Sequence, residues 1–477
     1  MAYSKEYKKN LSSTCMKLLH FALTIVLFWI FWMLFRYETI FPQRDIGFRY
    51  NHLTAIGYAV GIFFFNRTYN TYLLGYSRIR DLVFRQFLSQ FFTITIIYIG
   101  VSLGWNHWKN PAIFLLLLVS QLVLDVAWSY FCNGFFYKMN PTKKTVLIYR
   151  NELDKTRFGN IKGKPSERLY TITDTIQYNG RFADLKDRIT GYEAIFVAGI
   201  NSECRNGILK YCKEKGIPGF FLPHVGDVIM QEAIHIQSFD TPVMYITRTS
   251  ANPEYRIIKR VFDFTASLLG IILLSPILLV TALAVKLYDG GPAFYKQTRL
   301  TRDGKEFKII KFRSMRVDAE KDGVARLCSG ENDSRITPIG RIVRKCRLDE
   351  LPQLFNILKG DMSIVGPRPE RPEIAEQYYK TIPDFKLRLQ VKAGLTGYAQ
   401  VYGKYNTEPY EKLQFDLLYI NNMSVLTDLK LMFATASILL WSESTEGIAV
   451  GATTAMDYEN AAYGTENDAE TKQNKMD

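Results

Sequence analysis

The chain has 477 residues, with 60 Lys and Arg against 46 Asp and Glu, and 48% of its residues are apolar. This length predicts about three domain-sized units, and the low charged share with abundant Phe and Tyr excludes a disordered chain. The six cysteines and five histidines are scattered, which argues against a disulfide scaffold, a zinc module or histidine-based metal chemistry. A net charge of +14, despite an acidic segment after residue 442, suits phosphorylated substrates, anionic lipid or nucleic acid. The apolar segments favour the first two.

Four apolar runs near residues 18–35, 52–65, 87–103 and 112–131 predict a unit of four transmembrane helices, although the second run is short. The N-terminal segment, the second loop and the segment after the fourth run carry 11 Lys and Arg, against 4 in the other two loops. The excess of basic residues predicts that both ends of the unit face the cytoplasm. Asp125, inside the fourth run, is expected to point into the bundle and find a donor there; a lipid or ion pathway is the alternative.

A fifth apolar run, 261–285, decides the topology of everything after it. Hydropathy alone favours a kinked spanning helix. Basic residues flank both ends, however, and Ser275 and Pro276 lie in the middle, where proline removes a helix hydrogen bond. A helix broken there can enter the bilayer and return to the same face. The chemistry of the downstream motifs makes us favour this re-entrant course.

Between 145 and 247, buried strands alternate with helical segments. Residues 145–149, 194–198 and 217–222 read as strands, and 202–215 as a helix with Ser202 as its N-cap and Gly216 as its end. This alternation predicts a parallel sheet of Rossmann type. The turn after the first strand has no glycine and carries an acidic residue, which argues against dinucleotide binding. We therefore expect a structural or dimerising role for this domain.

The C-terminal region opens with a basic hairpin. Alternation on both sides of Asp303 and Gly304 predicts two strands that bring Lys311 and Arg313 close together. A solvated basic strand is the alternative, but regularly interleaved Phe and Ile indicate that this strand packs against something.

Two adjacent carboxylates follow. Asp349 is predicted to cap a helix that has Glu350 in its first turn and ends at Gly360. Because neighbouring helix positions point about 100° apart, one carboxylate could hold a metal while the other reaches a substrate. An ordinary capped helix is the alternative, which nearby Arg344 and the next motif make less attractive.

Two glycine-containing loops complete the pattern. Gly366, Pro367 and Pro369 fix the backbone around Arg368, as expected for a guanidinium that binds phosphate. The segment 392–400 contains another tight glycine turn, and Asp416 and Tyr419 come after it.

These motifs carry a resemblance. From about residue 259 to 440 the chain resembles the bacterial sugar transferases, the monotopic polyprenol-phosphate phosphoglycosyl transferases. The four N-terminal helices and the Rossmann-like domain resemble its long subfamily, which includes undecaprenyl-phosphate galactose and glucose phosphotransferases. The matching motifs are Ser275-Pro276, Lys311-Phe-Arg-Ser-Met315, Leu348-Asp-Glu-Leu-Pro-Gln353, Val365-Gly-Pro-Arg-Pro369 and Gly394-Leu-Thr-Gly397.

The resemblance implies a nucleoside diphosphate sugar donor, usually UDP-linked, an undecaprenyl phosphate acceptor and release of UMP. It implies that Asp349 is the nucleophile and forms an aspartyl-phosphosugar, and that Glu350 is the Mg²⁺ ligand. Arg344 and Arg368 match phosphate-binding arginines, to which we add Lys311 and Arg313. Such a reaction is the first membrane step of exopolysaccharide, capsule or O-antigen synthesis. The transferred sugar, N-acetylated or not, stays open, and a catalytically silent scaffold for polysaccharide enzymes is the alternative of a different class.

The sequence therefore predicts a membrane α plus α/β protein with four parts. These are a four-helix transmembrane domain (1–140), a degenerate Rossmann-like α/β domain (141–250), an α+β catalytic domain with its re-entrant helix (251–441) and an acidic, disordered tail (442–477). We expect a homodimer in the inner (cytoplasmic) membrane of a bacterium, with the catalytic domain on the cytoplasmic face. The expected partners are the UDP-sugar, undecaprenyl phosphate and membrane lipids, and no nucleic acid.

Overall fold

A computed structural model describes residues 2–35, 48–104, 108, 110–152, 154–155, 165–236, 241–246, 253–317, 319, 335–403 and 408–439. The predicted acidic tail lies outside these residues. The chain divides into two compact units, Met1–Leu222 and Pro223–Asp477. The division falls earlier than the predicted boundary at 250/251, so the first unit contains the predicted membrane domain and only residues 141–222 of the predicted α/β domain.

The first unit begins with four helices, α1 (Ala2–Phe35), α2 (Phe48–Tyr69), α3 (Ile79–Gly104) and α4 (Pro111–Met139). Three of them, α1 from Ser12 onward, α3 and α4, are long and apolar enough to cross a membrane. The second predicted run does form a helix, but α2 falls short of that hydropathy because polar residues such as Asn51 and Asn66 interrupt it.

A polar network lies inside this bundle. Asp125 is fully buried, and its Oδ1 atom contacts His20 Nε2 at 3.1 Å and accepts a hydrogen bond from Gln90 Nε2 at 2.9 Å. The other ring nitrogen of His20 contacts the Tyr72 hydroxyl at 3.0 Å. The prediction that Asp125 points inward and finds a donor is confirmed.

An α/β region completes the first unit. Its four strands are β1 (Lys143–Tyr149), β2 (Tyr170–Gln177), β3 (Ala194–Ala198) and β4 (Gly219–Phe221). They form a parallel sheet in the order β2-β1-β3-β4, as the buried apolar runs predict. The assignment to the Rossmann type stays a prediction.

Helices cover both faces of this sheet. Between β2 and β3 lies the short α5 (Phe182–Leu185), and α6 (Ser202–Lys215) follows β3. The predicted bounds of α6 and its end at Gly216 are confirmed, but its N-cap is Asn201, whose side chain accepts from the Cys204 N–H at 2.8 Å. One sheet face packs against α6, and the other packs against the end of α4.

The second unit starts with α7 (Val225–Met230), which belongs to the C-terminal core. Val225 and Val228 are buried in the same cluster as Leu413 and Ile420. The remaining elements are β5 (Ile234–Ile236), β6 (Val243–Tyr245), α8 (Pro253–Asp289), β7 (Phe294–Leu300), β8 (Glu306–Phe312), α9 (Pro338–Lys345), α10 (Gln353–Lys359), β9 (Ser363–Val365), α11 (Pro372–Thr381), β10 (Gly394–Thr396), α12 (Tyr398–Tyr402), α13 (Pro409–Asn421) and α14 (Val425–Leu439). Segment 223–246 therefore opens the unit that carries the chemical motifs.

Helix α8 is the fourth helix long and apolar enough to cross a membrane. It runs continuously through Ser275 and Pro276, and the Ser275 hydroxyl donates to the Ile272 carbonyl at 2.8 Å. Near its start, Lys259 pairs with Asp428 at 2.7 Å. The re-entrant course of this helix stays a prediction.

Both halves of α8 pack on the same unit. The first half is tied by Asp263, which accepts from the Ile364 N–H at 3.0 Å. In the second half, Val285 is buried with Phe312 and Val343. Large apolar side chains are exposed along the rest of its surface, including Val261, Leu269, Ile272, Leu273, Ile277, Leu279, Val280, Leu283 and Leu287. The helix therefore has one face on the protein and one apolar face without protein cover among the described residues.

Candidate active site

The two adjacent carboxylates lie in a single 3-10 turn, Leu348–Glu350. Arg347, just before it, has φ 52°, a left-handed conformation that is uncommon outside glycine. Helix α10 begins only at Gln353, after Pro352. The prediction that Asp349 is its N-cap is therefore wrong, because the chain first closes a tight turn in which the Leu351 N–H donates to the Leu348 carbonyl. The predicted end of this helix at Gly360, with φ 101°, is confirmed.

Two cations meet on Glu350. Its Oε1 atom accepts from Arg368 Nη2 at 2.8 Å and lies 3.6 Å from Lys311 Nζ. Burial by itself raises the pKa of Glu350, but Arg368 and Lys311 together hold it well below its ordinary value. Glu350 is thus a permanently ionised carboxylate at neutral pH.

The environment of Asp349 has the opposite effect. Burial, with the negative charge of Glu350 added to it, raises the pKa of Asp349 to about 6. The positive charges of Lys311, Arg344 and Arg368 act on Asp349 in the other direction and keep it ionisable near neutral pH. Two neighbouring carboxyl groups with separated pKa values are typical of sites in which each has its own chemical role.

The predicted cations around this pair come from different elements. Lys311 lies on β8, which pairs with β7 in the predicted hairpin. Arg344 lies in the last turn of α9, and Arg368 lies in the loop after β9. The structure therefore brings Asp349, Glu350, Lys311, Arg344 and Arg368 together.

The loop that carries Arg368 is fixed along its whole length. Every residue from Gly366 to Glu370 has a backbone atom hydrogen-bonded to a neighbouring segment, and in two cases the partner is an arginine side chain. The bonds are Gly366 N to Thr396 O (2.8 Å), Gly394 N to Pro367 O (2.9 Å), Arg388 Nη2 to Arg368 O (2.8 Å), Arg299 Nη1 to Pro369 O (3.1 Å) and Leu300 N to Glu370 O (3.0 Å). The Arg368 guanidinium therefore extends from a rigid backbone.

The two glycine-containing motifs meet in this loop. Strands β9 and β10 pair in parallel, and Gly394 lies directly against Gly366. A Cβ atom on Gly366 would lie 2.5 Å from the Lys392 carbonyl oxygen, and one on Gly394 would overlap the Gly366 backbone. Close backbone approach explains both glycines.

The sequence reasoning missed two arginines, the buried Arg388 and the half-buried Arg299. Arg388 is 4% exposed and binds Asp416 through Nε at 2.8 Å while it holds the Arg368 carbonyl. Burial lowers the pKa of Arg299 to about 10, and its Nη1 holds the Pro369 carbonyl. Arg299 lies in the hairpin, and Asp416 follows the second glycine turn. Sequence spacing does not show which distant backbone carbonyl an arginine side chain contacts.

Arg313 is the predicted site residue that the structure places differently. Its guanidinium binds the Asp289 carboxylate and donates to the Val285 carbonyl at 3.3 Å, both at the end of α8. Its role as a phosphate ligand stays a prediction.

Comparison with known proteins identifies the region that contains this site. The family model for bacterial sugar transferases matches residues 254–442. A UDP-glucose:undecaprenyl-phosphate glucose-1-phosphate transferase from Caulobacter vibrioides is 42% identical over 191 residues, which are 39% of this chain and 71% of that protein. The chain belongs to the bacterial sugar transferase family.

Two further relatives are longer. A UDP-N-acetylgalactosamine-undecaprenyl-phosphate N-acetylgalactosaminephosphotransferase from Aeromonas hydrophila is 40% identical, with 40% of this chain and 45% of that protein aligned. A UDP-glucose:undecaprenyl-phosphate glucose-1-phosphate transferase from Escherichia coli is 44% identical, with 41% and 42% aligned. The chain thus spans less than half the length of these two sugar transferases. The carboxylate pair lies inside the segment that the family model matches.

A divalent metal is compatible with this pair. Mg²⁺ keeps several waters and is bound in such sites through one or two carboxylates together with substrate phosphates. Among the described residues, no group of three or more His, Cys, Asp or Glu side chains could hold a metal. The ionised Glu350 with Asp349 beside it therefore suits an ion whose remaining ligands are phosphate and water.

Proposed function

We propose that this bacterial sugar transferase moves a sugar-1-phosphate from a UDP-sugar to undecaprenyl phosphate, giving undecaprenyl-diphosphate-sugar and UMP. The observation that carries the proposal is the carboxylate pair, Asp349 with a raised pKa beside the ionised Glu350, surrounded by Lys311, Arg344 and Arg368. This pair lies in the segment that the bacterial sugar transferase model matches, and two relatives of the chain are named for such transfers.

The first step in this proposal is attack by a carboxylate oxygen of Asp349 on the phosphorus next to the sugar. A bond forms between Asp349 and that phosphorus, the bond from phosphorus to the bridging oxygen of UMP breaks, and UMP leaves with the electron pair. In the second step an oxygen of undecaprenyl phosphate attacks the same phosphorus and releases Asp349. Covalent catalysis of this kind divides one transfer into two steps, so that both substrates use one site in turn.

Charge neutralisation makes attack by an anion on a phosphate feasible. In this proposal Arg344 and Arg368 bind the phosphate oxygens, and Lys311 adds a third positive charge. Mg²⁺, when held at Glu350, would withdraw further charge from the phosphates and so favour departure of UMP. The rigid backbone around Arg368 fixes the point from which its side chain extends towards the phosphates in both steps.

The contacts of α8 support a re-entrant course. A helix of 37 residues is about 55 Å long. If it were straight and spanned the bilayer, one end would lie far from a catalytic unit on the cytoplasmic side. Here Lys259 near the start and Val285 near the end both contact that unit, while the exposed face between them is apolar. We therefore place the catalytic unit at the cytoplasmic face of the bacterial inner membrane, where nucleotide sugars are available.

The first unit has a supporting role in this proposal. Its three apolar helices add membrane anchorage, and the parallel sheet serves as a dimerising element of a homodimer. The sugar is not fixed by family membership, because the relatives are named for glucose or N-acetylgalactosamine. A panel of UDP-sugars scored for UMP release with undecaprenyl phosphate present identifies it.

The deciding experiment measures UMP from enzyme, UDP-sugar and Mg²⁺ without lipid. We expect an amount of UMP close to the amount of enzyme, and a sugar-phosphate adduct on the peptide that contains Asp349. Asp349→Asn should abolish this burst, whereas Glu350→Gln should slow it and weaken its Mg²⁺ dependence. Asp303→Asn, a substitution of the same kind on the exposed hairpin turn, is the control and should behave like wild type.

Two outcomes would contradict the proposal. A normal burst from Asp349→Asn, or an adduct on Glu350, would mean exchanged roles or direct transfer between the substrates. Absence of UMP with every UDP-sugar, with and without lipid, would favour the alternative of a catalytically silent membrane scaffold.

A further inference from the structure

Arg313 makes an ion pair that the proposed reaction does not use. It follows directly after β8, is 7% exposed, and binds Asp289, the last residue of α8. Its Nη2 also donates to the Val285 carbonyl at 3.3 Å, and its backbone N–H donates to the Ala293 carbonyl at 2.9 Å. Basic side chains at a helix C-terminus stabilise the exposed carbonyls and the negative end of the helix dipole. Arg313 thus caps the C-terminal end of the apolar helix.

The same guanidinium is poorly accessible to a substrate. Its second terminal nitrogen, Nη1, is buried and has no hydrogen-bond partner among the described residues. A side chain on Gly291 would collide with that nitrogen, which shows how closely the backbone covers it. A phosphate would have to displace this cover to reach Arg313.

Arg313 is also close in sequence to the reacting groups. Lys311, two residues earlier, lies 3.6 Å from the Glu350 carboxylate. Phe312, between them, is buried in a cluster with Val285 of α8 and with Leu348, the residue before Asp349. The end of the apolar helix, strand β8 and the turn that bears the carboxylates are therefore packed together.

We propose that the Arg313–Asp289 ion pair fixes the end of the apolar helix α8 to strand β8, and that Arg313 is a positioning residue for Lys311 and the Asp349 turn. In this proposal Arg313 does not bind substrate phosphate. Loss of the pair would let β8 shift relative to α8, and Lys311 would then no longer be held against Glu350. The activity arm of the test rests on the proposed transfer reaction.

The test is a double-mutant cycle on the full-length protein in lipid, with Asp289→Asn, Arg313→Lys and both together. Each single variant should lower the rate constant of the UMP burst by about ten- to a hundred-fold, since small misplacements of reacting groups cost that much. The KM for the UDP-sugar should change less than threefold. The double variant should be no slower than the slower single variant, because both changes remove one interaction. The reversed pair, Arg313→Asp with Asp289→Arg, should recover part of the rate.

Arg302→Ala is the matched control, because this arginine pairs with Asp303 on the exposed turn of the same hairpin. It should keep the wild-type burst. Melting temperatures of all variants give a second measurement that does not need activity. The two single variants should each lower the melting temperature by several degrees, and the double variant should lower it by less than their sum.

A phosphate-binding role predicts a different pattern and would overturn the proposal. Arg313→Lys would then raise the KM for the UDP-sugar at least tenfold, while Asp289→Asn would have wild-type activity. Additive effects of the two substitutions on both rate and melting temperature would also overturn it. If wild type releases no UMP, the proposed reaction fails, and the melting temperatures alone decide whether the ion pair couples α8 to β8.

Discussion

The raised pKa of Asp349 predicts an unusual pH dependence for the first half-reaction. The nucleophile is the ionised form, so activity is present above the pKa and lost as pH falls through it. With a pKa of about 6, about nine-tenths of the groups are ionised at pH 7 and about one-tenth at pH 5. With the ordinary value of 3.8, about nine-tenths would still be ionised at pH 5. We expect the second-order rate constant of the lipid-free UMP burst to fall about tenfold between pH 7 and pH 5.

The assay is a single-turnover measurement at constant ionic strength. UDP-sugar is kept below saturation, because the second-order rate constant then reports the free enzyme. Glu350 cannot produce this midpoint, since its pKa lies well below the ordinary value. Glu350→Gln removes the like charge beside Asp349, so the slower reaction that remains should have a lower midpoint. A profile that stays flat to pH 5, or a midpoint that does not move in Glu350→Gln, would refute our account of the pair.

Three further predictions concern the scaffold. Gly366→Ala should destabilise the protein by about 1–3 kcal/mol, because the new methyl group would lie 2.5 Å from a backbone oxygen; calorimetry checks this. A fragment starting at Pro223 should melt at a higher temperature than one starting at Asn252, which lacks the core residues of α7, and both should release UMP. A variant whose only cysteine is the exposed Cys346 should resist an impermeant thiol reagent in intact cells and react after permeabilisation. Labelling from outside would mean that the catalytic unit lies on the outer face of the membrane.

Local sequence signals predicted local structure well. The turn at Asp303 and Gly304, the parallel strands and the helix end at Gly360 all follow from backbone preferences and apolar periodicity. The N-cap at Asp349 was wrong because Arg347 adopts a left-handed conformation that favours a 3-10 turn before the helix starts. Such a conformation at an arginine is set by tertiary packing, which periodicity does not register.

Long-range contacts were the part that the sequence did not reveal. Gly394 packs against Gly366, and Arg388 donates a hydrogen bond to the Arg368 carbonyl. Each contact joins residues that are far apart in the chain. Arg313 illustrates the same limit. Its position two residues after Lys311 predicts a shared site. In the structure its guanidinium instead binds the Asp289 carboxylate and the Val285 carbonyl at the end of α8. The sequence predicts that Asp125 finds a hydrogen-bond partner inside the bundle, but only the folded structure shows that His20 is one of its partners.

The hydrogen bonds along residues 366–370 have a consequence for how two dissimilar substrates use one pocket. Each residue there is held by a neighbouring element. The backbone of this loop therefore keeps one position, whether the site binds a water-soluble nucleotide sugar or a lipid phosphate. The Arg368 side chain, 45% exposed, can still adjust from this fixed backbone. The donor and the acceptor must then present their phosphates to the same fixed positions, and each should act as a competitive inhibitor of the other for the enzyme form that it does not react with.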